Sequence, residues 1–73
     1  MTNTKLFRDI VKSTGIKYKY LANSLGLSYA GLKAKIENDR EFKAKEIQIT
    51  SEVLNLDNET RDKIFFYKWV DLK

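Results

Sequence analysis

The chain has 73 residues, 42% of them hydrophobic, and a net charge of +4, which bounds it to one globular domain too small for a large core. It lacks Cys, His and Pro, so it has no disulfide, no thiolate or imidazole metal ligand and no imidazole acid–base catalyst. The charge is uneven: residues 1–36 carry Lys5, Arg8, Lys12, Lys17, Lys19, Lys33 and Lys35 against Asp9 alone, a surplus of +6, and the remainder nets −2. A basic front half suits a polyanion or an acidic protein surface.

The start, MTNTKLFRDIVKSTG, is charged and amphipathic, unlike a leader peptide. It predicts a first helix over about Thr4 to Ser13, capped by Asn3 or Thr4, with Leu6, Phe7, Ile10 and Val11 on one face and Gly15 as its stop. A second helix is predicted from about Lys17 to Leu25, with Tyr20, Leu21, Ser24 and Leu25 on its inner side and Gly26 turning the chain. Ser28 is a good N-cap for a third helix from Tyr29 to about Asn38, placed inward by Leu32 and Ile36. A turn over NDREF leads to a fourth helix, about Lys43 to Leu54, whose predicted inner face is Ala44, Ile47, Ser51 and Leu54. Asp57 or Asn58 caps a short fifth helix over 59–64, and residues 65–73 read as a short helical turn running into an extended aromatic tail. The expected fold class is all-α: a compact four- to five-helix unit.

The second and third helices carry a helix-turn-helix pattern. Ala22 lets the helices approach, Gly26 makes the turn, and Leu21, Leu25, Leu27, Leu32 and Ile36 hold the pair together. On a wheel of 100° per residue, with Leu32 at zero, the buried direction of the third helix lies at about 20°. Ala34 and Ala30 then point outward, Lys33 and Gly31 lie to either side, and Tyr29 and Lys35 flank the buried stripe. Direct base readout relies on Arg or Lys for guanine and Asn or Gln for adenine. The outward centre has none of these; Lys33 is the nearest cation.

Nine aromatic residues exceed what so small a core needs. Phe7, Tyr20, Phe42 and one of Phe65 or Phe66 are expected inside, and Tyr18, Tyr29, Tyr67 and Trp69 are candidates for the surface, where Tyr and Trp favour protein contacts. Ser28 lacks a base partner, and Asp57 with Glu59 fits a helix start better than a metal site, so neither catalysis nor a cofactor or metal is expected. No apolar run reaches the roughly 18 residues of a membrane span.

Over about residues 4–58 the chain resembles the lambda-repressor-like helix-turn-helix family of phage repressors and Cro-type regulators, most closely in KYKYLANSLGLSYAGLKAKIEN and then FKAKEIQITSEVLNL. Its NDREFKAKEI turn and late IFF are similar to those of short phage proteins of this fold, and the whole chain resembles the small antirepressors of Gram-positive temperate phages. The resemblance implies a cytoplasmic regulator of a phage lysis–lysogeny switch. Its partner would be a repressor protein, contacted through Tyr18, Tyr29, Ala30, Lys33 and Trp69. The alternative it implies is a Cro-like homodimer that binds operator DNA through Lys17, Tyr18, Lys19, Ser28, Tyr29, Ala30, Gly31, Lys33 and Lys35.

Overall fold

The structure, a computed structural model, describes residues 1–66; the expectations for Tyr67, Trp69 and the rest of the tail lie outside the described residues. Five helices make up the fold, α1 (Thr4–Thr14), α2 (Tyr18–Leu25), α3 (Tyr29–Ile36), α4 (Ala44–Val53) and α5 (Asn58–Phe65), and there is no strand among the described residues. α2 packs against α3 and α4, and α5 packs against α1 and α4.

Local chemistry sets most of the boundaries. The Asn3 side chain accepts the Leu6 N–H at 3.2 Å to start α1, and Gly15 ends it at φ 74°. Gly26, at φ 69°, ends α2 in the left-handed conformation that glycine adopts without a Cβ penalty. The Ser28 Oγ accepts the Gly31 N–H at 3.0 Å and opens α3. Asp57 opens α5 by accepting the Thr60 N–H at 2.7 Å, a bond that also holds its carboxyl below the usual range. α3 stops at Ile36, two residues before the predicted end, because Asn38 takes φ 67°.

Phe7, Val11, Leu21, Ala22, Leu32, Ile36, Leu54, Ile64 and Phe65 form the buried core. Phe42 stacks on Phe7 at a centroid distance of 5.8 Å, and Phe65 meets both rings edge-on at 6.1 and 5.1 Å. Of the late phenylalanines, Phe65 is the buried one and Phe66 is exposed.

Three expectations about faces are corrected. The inner stripe of α2 is Tyr18, Leu21, Ala22 and Leu25, spaced i, i+3, i+4, i+7; Tyr20 lies on the other side and is 61% exposed. Tyr18 accordingly packs half-buried against the core. On α4 the buried positions are Glu46 and Thr50, continued by Leu54 at its end, while Ala44 is exposed. Ile47 and Ser51 of the predicted face are half-buried beside them, so the sequence reading of α4 misses only that two polar residues occupy its innermost positions and that Ala44 lies outside.

The third correction is Lys35. The wheel puts it at the rim of α3, yet it is buried, its Nζ bonded to the Glu46 Oε1 at 2.5 Å. Glu46 Oε1 also accepts the Lys43 N–H at 2.8 Å, so one carboxylate closes the start of α4 and neutralises α3. Burial alone would push the Glu46 carboxyl up. The hydrogen bonds from Lys35 and Lys43, with the two positive charges, outweigh it and hold the group below its ordinary value.

An N-terminal clasp completes the fold. The Thr2 N–H donates to the Asn38 Oδ1 at 2.7 Å, and the Asn38 Nδ2 donates back to the Thr2 carbonyl at 2.9 Å. The Thr4 hydroxyl donates to the Ile36 carbonyl at 2.6 Å, and the Asn3 N–H to the Ile64 carbonyl at 2.6 Å. These bonds tie the end of α3 to α5 and bury Thr2.

Candidate recognition surface on α2 and α3

The helix-turn-helix presents the residues singled out by sequence in three groups. Tyr29, Ala30 and Lys33 are exposed on α3, with Gly31 half-buried between them. Lys17 and Lys19 are exposed at the start of α2, and Tyr18 between them is half-buried. Ser28 is exposed, but its Oγ is occupied as the acceptor that caps α3. Lys35 drops out of the set, because its ammonium is committed to Glu46 and 6% of its side chain is accessible.

The geometry explains why α3 carries so little for reading bases. Leu32, Lys35 and Ile36 turn inward, leaving Tyr29, Ala30, Lys33 and the edge of Gly31 for the outer face. A Cβ added at Gly31 would stand 3.2 Å from the Ser28 Oγ, so glycine gives the capping hydroxyl its room. Glu37, just past the end of α3, is engaged with Arg8 of α1 at 3.0 Å.

Tyr18, Arg8 and Tyr29 share one neighbourhood. Burial raises the Tyr18 phenol above its usual range, the Arg8 charge opposes this, and Tyr29 adds to it. Tyr18 is therefore a neutral hydrogen-bond donor at physiological pH. Tyr29, 58% exposed, is the largest apolar area offered by α3.

Lys12, Lys17, Lys19 and Lys33 have no ion-pair partner among the described residues, whereas Lys5, Arg8 and Lys35 are paired. The free positive charge of the front half is thus concentrated on four lysines of α1, α3 and the start of α2. Sequence reasoning missed Asn23 and Leu27, which with Lys19, Ala22, Ser28 and Tyr29 line a cleft of about 360 Å³ at the α2–α3 corner. The signal was present in the corrected α2 stripe, which turns Lys19 and Asn23, one turn apart, to the surface.

A larger groove of about 940 Å³ runs along α4 toward α5 and is lined by Phe42, Ile47, Leu56, Arg61 and Phe66 among others. No group of three or more Asp and Glu side chains converges for metal binding among the described residues. No helix among them is long and apolar enough to cross a membrane. Comparison of the chain with protein-family models, with curated proteins and with solved structures finds no match in any of the three.

Proposed function

We propose that this protein is a non-catalytic regulator of a phage lysis–lysogeny switch. It acts in the host cytoplasm as an antirepressor, docking on a partner repressor through the α2–α3 surface and keeping that repressor off its operators. One observation carries the reading: a helix-turn-helix whose outward positions are the exposed Tyr29, Ala30 and Lys33 and the half-buried Gly31, with Lys35 withdrawn into a buried ion pair. Such a face has the frame of a base reader without the paired donors and acceptors that discriminate bases. It offers an exposed tyrosine on a rigid helix, which suits a protein contact.

The test is a titration of the protein into a labelled complex of a phage repressor from the same switch with its operator. Release of free DNA with formation of a protein–repressor complex is expected. Tyr29→Ala should weaken that complex at least tenfold with its melting temperature within a few degrees of the parent, because the side chain is mostly exposed.

The Cro-like alternative draws on the four unpaired lysines, which suit phosphate contacts that position a protein without specifying sequence. It requires tight, sequence-dependent shifts of DNA alone, at a Kd of about 10⁻⁸ M or better at physiological salt. That result would displace the antirepressor reading.

A further inference from the structure

The cleft at the α2–α3 corner is a concave feature of the helix-turn-helix surface. Buried Ala22 and half-buried Leu27 form its apolar floor, and the exposed ring of Tyr29 forms one wall. Lys19, Asn23 and Ser28 complete the lining. We propose that this cleft is the anchor pocket of the docking surface, and that its occupant is an acidic protein segment inserting one branched apolar side chain against Ala22, Leu27 and Tyr29, with Lys19 beside it. The proposal rests on the protein-partner reading above and specifies the chemistry of that partner.

Size, polarity and charge each point to this occupant. At about 360 Å³ the cleft falls at the lower end of the roughly 300–1,000 Å³ typical of ligand pockets, room for one or two side chains. Its floor is small because position 22 is alanine, so depth comes from the same residue that lets α2 and α3 approach. An apolar floor is wasted on a phosphate and favours a leucine-like side chain.

No carboxylate lines the cleft, and Lys19 has no ion-pair partner among the described residues. Lys33, equally unpaired, stands one turn along α3 from Tyr29 on the same face. A partner carboxylate on either side of the inserted residue therefore meets a lysine. The Ser28 Oγ accepts the Gly31 N–H, which leaves its own hydrogen to donate, and the Asn23 amide supplies both a donor and an acceptor.

The charge also constrains how a repressor is masked. A DNA-binding helix is lined with cations, and Lys19 and Lys33 repel it head-on. The inserted side chain must come from an acidic stretch beside that helix, and operator access is blocked by the bulk of the docked domain.

The test uses a short acetylated and amidated helical peptide with one leucine flanked by glutamates a turn away on both sides. Three comparison probes accompany it: the peptide with its leucine replaced by alanine, the peptide with lysines for glutamates, and a mixed-sequence DNA duplex. Amide chemical shifts of the ¹⁵N-labelled protein are followed. The acidic leucine peptide should move Asn23, Leu27, Ser28 and Tyr29 in a saturable manner. Loss of the leucine should weaken binding at least tenfold, and Lys19→Glu should do the same while gaining binding to the lysine-flanked peptide.

Lys19 is exposed, so Lys19→Glu should keep the parent's spectral dispersion and melting temperature. No saturable binding, shifts outside the cleft, equal binding of the alanine peptide, or tighter binding of the duplex at the same amides would each overturn the pocket. The repressor titration separates the two readings. Repressor capture that is indifferent to Lys19→Glu sinks the pocket alone, and peptide capture without repressor release sinks the antirepressor reading alone.

Discussion

Replacing Lys35 by methionine isolates the buried ion pair that removes this lysine from the candidate recognition surface. The pair spans α3 and α4 at 2.5 Å, with 6% of the Lys35 and 11% of the Glu46 side chain accessible. Removing one partner of a buried pair costs about 3–5 kcal/mol, because the other charge is left uncompensated. Glu46 keeps its bond from the Lys43 N–H and can take up a proton, so the lower end, about 3 kcal/mol, is expected. For 73 residues the whole folding free energy is about 4–11 kcal/mol, so the loss is a large fraction of it. In a domain of this size it corresponds to a fall in Tm of about 12–24 °C.

Urea and thermal unfolding followed by circular dichroism measure it. The double variant Lys35→Met with Glu46→Leu should return to within about 1–2 kcal/mol of the parent, since a well-packed apolar pair escapes the desolvation cost. A loss below about 1 kcal/mol in Lys35→Met, the range of exposed pairs, would refute the burial and return Lys35 to the set of contact residues.

Three further outcomes follow from the same structure. Thr50 is fully buried and its hydroxyl has no hydrogen-bond partner among the described residues, so Thr50→Val should stabilise the fold by about 1 kcal/mol in urea titrations; a loss would mean that the hydroxyl is satisfied. Asn38→Ala should cost about 2–3 kcal/mol, from two lost bonds to Thr2 and a non-glycine left-handed residue, and Asn38→Gly should cost less because it relieves the backbone part; equal losses would exclude the φ argument. Because the Glu46 carboxyl is held below its ordinary 4.5, its stabilisation is present above that pH and is lost as pH falls through the lowered folded value. The parent's urea midpoint should therefore drop on acidification below about pH 4.5 more steeply than that of Glu46→Gln, and parallel curves would show that Glu46 is not the group responsible.

Much of this fold is legible along the chain because its determinants are local. Asn3, Ser28 and Asp57 cap helices by bonding an N–H three residues on, and Gly15 and Gly26 end helices by adopting positive φ. Those choices involve neighbours within one turn and therefore appear as short motifs. The helix-turn-helix register follows likewise, since Leu21, Leu32 and Ile36 are buried as their spacing requires. The sequence by itself also determined that α3 carries Tyr29, Ala30, Gly31 and Lys33, a set poor in base-reading groups.

Only the tertiary structure decided which rim residues turn inward. Lys35 stands at the edge of the α3 stripe, and it becomes interior because α4 closes over that edge with Glu46, 11 residues away, to neutralise it. Tyr18 and not Tyr20 meets the core because α2 is gripped between α3 and α4 along one stripe, which leaves Tyr20 on the far side. Thr2 is buried by bonds to Asn38, 36 residues on. The α2–α3 cleft has the same origin, for Lys19, Ala22 and Asn23 of α2 line one space with Leu27, Ser28 and Tyr29 only once the two helices have packed. Periodicity fixes the direction of a side chain relative to its own helix, whereas the partner it meets there is set by packing between helices.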